Sequence, residues 1–449
     1  MYPLLTTLGM LKWIRRNGYK QRKNPIVFVP GLYGSMGETI IPGTGDWGFG
    51  MSAPVYEPFI RSIEELGYKK DKDLFIAFYD WRKECTFCAQ HYLKRIINEA
   101  KRKGRSKKVD IICHSMGGLV SRAYIQSQQY GYDVDQLIMI ATPNAGAVNA
   151  YYFWAEGKLP YEKNIKSNIF RTILEGYLWI LRKFYNAEND MEMIHNHLKS
   201  VKDLLPSYRY GDYLYFLDED GKMRYIPYEK MQYQNEFLDQ LNQNEYLLKR
   251  RKIKTTLIAG KGIETNNYLQ VDRRYQNQGN RWMVGKVVAA SKSTEGDGTV
   301  MLRSVFRVEG DAYVFEGTHA DILNRCTFVI RKKLRINENN AYRSSDKLIK
   351  NYISILVSGS GDLLIKSAVE EGGILYDGIK KVEGVYVERY NEKLKWIVLV
   401  GFSTEQCYVE YVPNESGEME IVIKDSFGKI KKMQEREVKI NQTYRVNLS

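Results

Sequence analysis

Between residues 25 and 150, short runs of nearly continuous apolar residues alternate with longer stretches in which apolar positions recur every three or four residues. The runs 25–31 (PIVFVPG), 73–81 (DLFIAFYDW), 107–113 (KKVDIIC) and 135–142 (DQLIMIAT) predict buried strands. The stretches 88–104 and 117–131, and the face made by Phe59, Ile60, Ile63 and Leu66, predict helices. Strands apolar on both faces need helices on both sides, so the rhythm predicts a mostly parallel sheet covered above and below. It breaks over 151–250, where Tyr, Leu, Lys and Asn dominate with helical spacing and Phe170, Ile173, Leu174, Tyr177, Leu178, Leu181, Phe184 and Tyr185 form one stripe. The stripe reads first as a helix packed on the rest of the protein and second as a cap over a lipid-binding cleft. The alternation resumes with a strand at 254–260, a polar loop to Asp297, a strand at 312–317 and a helix over 320–334.

Beyond a polar linker, runs such as 352–358 (YISILVS), 394–402 (LKWIVLVGF) and 406–412 (QCYVEYV) are separated by Gly, Asn, Asp and Ser turns. They predict an antiparallel β-sandwich. The expected organisation is an N-terminal segment (1–24), an α/β core in two parts (25–150 and 251–335), a helical cap inserted between them (151–250), a linker (336–347) and the β-sandwich (348–449).

Composition narrows the partners more than the fold. The 449 residues carry 67 Lys and Arg against 53 Asp and Glu, a formal charge of +14. That surplus reads first as a soluble basic surface and second as favouring anionic partners such as acidic lipid headgroups. Nucleic acid would rest on charge alone and is not expected. Cys85, Cys88, Cys113, Cys326 and Cys407 are odd in number and scattered, which excludes a complete disulfide framework and favours a reducing compartment. Cys85-x-x-Cys88 has no second pair to complete a zinc site and is read as structural, with a redox or disulfide role as the alternative. In residues 1–23 a short apolar stretch precedes the charges, the reverse of a signal peptide, and no later run approaches a membrane span. A cytoplasmic or peripheral membrane protein is expected, or one whose leader has been removed.

The chemistry centres on VDIICHSMGGLV (109–120). A serine on a tight strand-to-helix turn presents a strained, exposed hydroxyl, and only small residues fit two positions before and after it. Gly117 meets that demand and Cys113 departs from it while remaining small. A serine also needs a base and a group that orients the base. In this order of elements the partners follow as acid, then histidine. Of the five histidines, His91 and His114 precede the serine and His195 and His197 lie in the insert, which leaves His319. Asp297, between Gly296 and Gly298, is the expected acid; Asp311 and Asp321 are read as turn and helix-start residues. The oxyanion donors are expected at Met116 N–H, at the helix start, and at Leu32 N–H after the first strand. Gly31, Gly34 and Gly37 have the wrong spacing for a dinucleotide loop, and the motifs call for no cofactor and no metal.

In this order, VPGLYGS, FYDWR (78–82), CHSMGG, ATPNAGA (141–147), SVKDLLPS (200–207), GDGTV (296–300) and GTHADIL (317–323) resemble the lecithin:cholesterol acyltransferase and lysosomal phospholipase family of α/β-hydrolases. The resemblance covers about residues 25–335. It implies an acyl-enzyme mechanism with Ser115 as nucleophile, His319 as proton shuttle, Asp297 as orienting acid and Leu32 with Met116 at the oxyanion, and water or an alcohol as acceptor. Tyr79 to Arg82 is read as structural, an Asp–Arg pair beside a buried Trp that braces the sheet edge. Within the insert only SVKDLLPS matches, so substrate-binding residues do not carry over. The function expected is a serine-dependent lipid acyl hydrolase or O-acyltransferase at an anionic membrane surface. The rivals are a carboxylesterase or thioesterase on small soluble esters, and an inactive hydrolase core whose β-sandwich binds a surface. Oligomeric state is not legible.

Overall fold

The architecture follows from which apolar runs are continuous and which alternate. A computed structural model describes residues 23–42, 44–157, 169–276, 283–336, 351–367, 373–427 and 429–448. The expected N-terminal segment up to residue 22, and the linker from residue 337, lie outside the described residues. Strands β1 (Ile26–Val29), β2 (Leu74–Ile76), β3 (Val109–His114) and β4 (Val134–Ile140) come from the predicted runs. The chain then leaves the sheet to form β5 (Leu214–Leu217) and β6 (Met223–Ile226), and returns as β7 (Lys254–Lys261). A second excursion forms β8 (Thr265–Asp272) and β9 (Lys286–Ser293) before the last sheet strand, β10 (Asp311–Glu316). The main sheet has the order β10-β7-β4-β3-β1-β2 and every pairing in it is parallel. Both β1 and β3 are buried along their whole length, as strands covered on two faces must be.

Three expectations change. The run 73–81 yields only a three-residue strand, because the chain from Tyr79 onward is tied to the loop after β1 instead of to the sheet. Among its described residues the insert is mostly helical yet contributes β5 and β6, and the presumed polar loop before Asp297 is the β8–β9 hairpin; these four strands form a separate sheet in the order β6-β5-β8-β9. Half-solvated strands with sequences such as TNNYLQVD carry no apolar run by which to be recognised. The predicted helix 320–334 divides at Cys326 into Asp321–Arg325 and Thr327–Lys333.

The C-terminal part contains β11 (Tyr352–Ser358), β12 (Gly361–Ser367), β13 (Ile374–Tyr376), β14 (Val385–Arg389), β15 (Leu394–Val400), β16 (Cys407–Pro413), β17 (Gly417–Asp425), β18 (Ile430–Val438) and β19 (Tyr444–Asn447). They form two antiparallel sheets, β14-β15-β11-β17-β18 and β13-β12-β16-β19. Ile355, Ile397, Leu399, Val409 and Ile421 pack between them in a core of their own. The alternate positions of the five-stranded sheet point the other way. Leu356, Trp396 and Val398 belong to the same apolar cluster as the α/β core.

The element joining the two bodies is the predicted stripe. Helix Ile169–Tyr185 buries Ile173, Tyr177, Leu178, Ile180 and Leu181; the Phe170 side chain lies outside the described ones. Tyr177 meets Tyr33 and Trp81 of the α/β core on one side and Trp396 of the sandwich on the other. The apolar surface is therefore wider than a single amphipathic stripe, because the helix is covered from two directions. Gly176, inside this helix, costs about 1 kcal/mol relative to alanine. A Cβ there would overlap the Trp396 indole. Complete burial of Trp396 contributes roughly 4–6 kcal/mol at about 25 cal/mol per Å², which outweighs the glycine. Lys424 with Glu175, and Lys183 with Glu420 at 3.0 Å, pair across the same seam.

All five cysteines are free and buried. Burial, with Asp203 nearby, raises the Cys85 thiol well above its ordinary value, and burial raises Cys88 as well. Cys85 N–H donates to Asp203 Oδ2 at 2.6 Å and Cys88 Sγ lies 3.2 Å from Asp80 O. Among the described residues no helix is long and apolar enough to cross a membrane.

Candidate active site

Ser115 occupies the sharp turn between β3 and the helix Met116–Gln126, with φ 53° and ψ −128°. That backbone region is costly for a residue with a Cβ, and it persists only where its surroundings impose it. Here they do. Ser115 N–H donates to Ile140 O at 2.8 Å. A Cβ on Gly117 would overlap Val29 O and Pro30 O, and one on Gly118 would overlap the Thr142 side chain, so helix and strands approach to backbone contact. Cys113 is accommodated within the sheet, its Sγ 3.4 Å from Ile138 O, and burial pushes its thiol up to about 12. It stays a neutral, small apolar residue at pH 7.

His319 follows β10 and Asp297 lies at the base of the β8–β9 hairpin. The hairpin returns the chain to the end of β7, where Asp297 bridges Ile263. The gap there is narrow, since a Cβ on Gly260 would stand 2.7 Å from Asp297 Cβ. Asp297 is fully buried. Its Oδ1 accepts from Thr299 N–H (2.9 Å) and Val300 N–H (2.7 Å), and its Oδ2 lies 2.7 Å from His319 Nδ1. His319 N–H also donates to Asp297 O at 2.9 Å. Thus one carboxylate oxygen is held by backbone and the other faces the imidazole. Asp321 instead accepts from Thr318 N–H at the start of its helix, and Asp311 pairs with Lys333.

Sequence reasoning passed over what lies beneath these groups. Gly31 N–H donates to Tyr56 Oη at 3.0 Å, which leaves the hydroxyl proton for His114 Nδ1 at 3.0 Å. His114 Nε2 then donates to His319 O at 3.1 Å. Burial, and next the neighbouring His319, holds His114 well below the ordinary imidazole range, so it is neutral, as this donor pattern requires. The relay ties the loop after β1 to the backbone of His319, and the His114 and His319 rings lie 4.7 Å apart. Since His114 precedes Ser115, it also brings the elbow beside the Asp297–His319 pair. The signal was present in the sequence, because His114 stands inside the serine motif, but its partner Tyr56 is 58 residues away. Tyr56→Phe should leave Gly31 N–H and His114 Nδ1 without this partner and lower stability by about 1–3 kcal/mol, measured by urea unfolding. An unchanged midpoint would mean that the relay contributes nothing.

Leu32 sits in the loop after β1, in a turn closed by Gly34 N–H to Gly31 O at 3.0 Å, a bond that does not use Leu32 N–H. Met116 is the first residue of its helix and fully buried. The FYDWR stretch grips the loop carrying Leu32: Tyr79 Oη donates to Pro30 O (2.7 Å), Trp81 Nε1 to Ser35 O (2.6 Å), and Arg82 to Thr39 O. Asp80 holds Arg82 through two contacts of 2.8 Å. The expected brace of the sheet edge is thus a brace of this loop. The remaining histidines stack elsewhere, His91 on Phe87, His195 on Trp154 and His197 on Tyr185. Among the described residues no group of three or more His, Cys, Asp or Glu could hold a metal ion.

Ser115, Asp297, His319 and the Leu32 loop all lie beyond the C-terminal ends of the parallel strands, where open α/β sheets gather their sites. Sheet, elbow and acid–histidine pair together define an α/β-hydrolase. Residues 50–177 match the lecithin:cholesterol acyltransferase family, so the resemblance read from the motifs holds over the stretch that contains the elbow. Phospholipase A(1) LCAT3 of Arabidopsis thaliana is 34% identical over 95 residues, 20% of this chain and 21% of that protein. The chain therefore spans about a fifth of the length of the curated relative it matches. Among solved structures, Bacillus licheniformis lipase BlEst2 is similar in its propeptide form at 12% identity and TM-score 0.38, covering 95% of this chain and 96% of that one. Its mature form is similar at 16% identity and TM-score 0.39, covering 70% and 93%. Likenesses so distant carry no weight beside the sheet and the elbow.

Proposed function

We propose that the protein is a serine-dependent lipid acyl hydrolase or O-acyltransferase. The observation that carries this reading is the buried Asp297–His319 pair beside a serine in a strained elbow. The match to a family whose curated relative is named a phospholipase A(1) supports the substrate class. His319 Nε2 takes the Ser115 hydroxyl proton as Oγ bonds to the ester carbonyl carbon, and the carbonyl electron pair becomes an oxyanion facing Leu32 and Met116 N–H. Collapse breaks the ester C–O bond, and the leaving alcohol takes the proton from His319. Water or a second alcohol then repeats the sequence on the acyl enzyme. Asp297 orients the imidazole and stabilises its charged form. The surplus of positive charge suits an anionic lipid surface.

A carboxylesterase on small soluble esters would use the same three residues. The stripe follows its first reading, a packed helix, with Ile173, Tyr177, Leu178 and Leu181 buried and Tyr177 against Trp396 of the sandwich, so it supplies no argument for interfacial activation. Mass spectrometry of products from anionic phospholipid vesicles, with and without a long-chain alcohol, separates the readings. Fatty acid or acylated alcohol, blocked by prior fluorophosphonate treatment, is expected. Cleavage of short esters with no lipid product would replace the lipid reading by the soluble one.

A further inference from the structure

The turn Gly31-Leu32-Tyr33-Gly34 is closed by a hydrogen bond from Gly34 N–H to Gly31 O, and Tyr33, its third residue, has φ 61°. A positive φ at that position belongs to glycine or asparagine in a type II turn. A bulky aromatic residue holds it only under constraint. The constraints on Tyr33 are visible. Ser52 Oγ donates to its carbonyl at 2.7 Å, the Trp81 ring meets its ring edge-on at 4.4 Å, and Tyr177 stacks on it at 5.6 Å with planes 16° apart. Tyr177 is in turn met edge-on at 5.1 Å by Trp396. Trp396 is itself fixed in its sheet by Nε1–H to Ser354 Oγ at 2.9 Å. The last link in this aromatic series belongs to the C-terminal β-sandwich.

Relaxation of Tyr33 to negative φ would rotate the Leu32–Tyr33 peptide and displace Leu32. We infer that the β-sandwich is a working part of the acyl-transfer site: Trp396, acting through Tyr177, is a positioning residue that holds the Tyr33 turn and with it the Leu32 oxyanion donor. This rests on the function proposed above. Gly176 is the second mark of it, a helix position kept open for the indole of Trp396. The sandwich is thereby coupled to catalysis without contributing a group that touches substrate.

The test compares full-length wild type with Trp396→Ala, Trp396→Phe and Gly176→Ala, each shown by near-ultraviolet circular dichroism to be folded. Hydrolysis of a short soluble ester, affinity for a trifluoromethyl ketone that mimics the oxyanion, and hydrogen exchange of the peptide containing Leu32 are read in parallel. Trp396→Ala is expected to lower kcat about tenfold, part of the 10²–10³ that removal of a whole oxyanion donor costs. KM should stay within about twofold, ketone affinity should fall in step with kcat, and exchange at Leu32 should quicken. Trp396→Phe should restore most of the loss. Gly176→Ala, which wedges the indole away, should behave like Trp396→Ala; should either of these two fail to fold, the other carries the comparison. A folded Trp396→Ala or Gly176→Ala protein with unchanged kcat and ketone affinity would overturn the inference, and so would one with raised kcat, which would make the sandwich a restraint. Fluorophosphonate labelling of wild-type Ser115 is the control: without it the serine reading falls and the brace falls with it, whereas labelled wild type with an indifferent Trp396→Ala sinks the brace alone.

Discussion

Ser115→Ala is expected to abolish fluorophosphonate labelling and to reduce ester hydrolysis by about 10⁶-fold, while the protein remains folded. Retention of the fold follows from what holds the elbow. The bond from residue 115 N–H to Ile140 O and the backbone contacts at Gly117 do not involve the serine hydroxyl, and alanine meets the same backbone strain as serine. What is lost is the protein atom proposed to bond to the acyl carbon. Residual rate would come from oriented water and the oxyanion donors. Assay of the purified variant against a chromogenic ester, beside its thermal unfolding curve, reads both parts. Activity within tenfold of wild type in a folded variant would remove Ser115 from the mechanism.

The second large effect is expected at Asp297→Asn, a loss in kcat of about 10⁴-fold with the fold again retained. Thr299 and Val300 N–H both point at Oδ1, so the asparagine carbonyl oxygen takes that place and its amide NH₂ is turned toward His319 Nδ1. A donor at that position forces Nδ1 to accept and puts the imidazole proton on Nε2. The ring then cannot take the Ser115 proton. Asp311→Asn and Asp321→Asn are the controls, because those carboxylates serve Lys333 and the Thr318 N–H. Both should stay within a few-fold of wild type. If Asp321→Asn cost as much as Asp297→Asn, the acid would have been assigned to the wrong loop.

The experiments at Tyr56 and Trp396 address a different layer of the site. Ser115, Asp297 and His319 are proposed to act on substrate, while Tyr56 with His114, FYDWR, and Tyr177 with Trp396 hold the backbone that carries Leu32 and His319. Three supports converge on one turn, which fits the need of an oxyanion donor to be aimed before the charge develops.

How much of this was legible in the sequence depends on how local each feature is. The central strands β1, β3, β4 and β7 could be read directly, because strands buried on both faces are continuous apolar runs. The elbow could be read because a serine at positive φ, packed to backbone contact, demands glycine at 117, and the Thr142 side chain leaves room only for glycine at 118. Chain order singled out His319 and Asp297, and the structure brings those two side chains to 2.7 Å. The β8–β9 hairpin could not be read. Its strands are half-solvated and mixed in polarity, and a period-2 signal that weak is indistinguishable from a loop. The helix carrying Tyr177 was recognised, yet its stripe could not say what covered it. An apolar face specifies that it will be buried, while its partner is specified by shape and by contacts from residues far along the chain.

The sequence by itself determined the α/β-hydrolase core, the antiparallel β-sandwich and the residue types at the candidate site, because continuous strands, a sharp elbow and a fixed chain order each leave a local mark. Only the tertiary structure decided that Gly31, Tyr56, His114 and His319 form one hydrogen-bonded series, and that Trp396 packs against a helix more than 200 residues before it. Those contacts are made by side chains whose spacing has no period, and their energy exists only once separate elements have been brought within a few ångströms of one another.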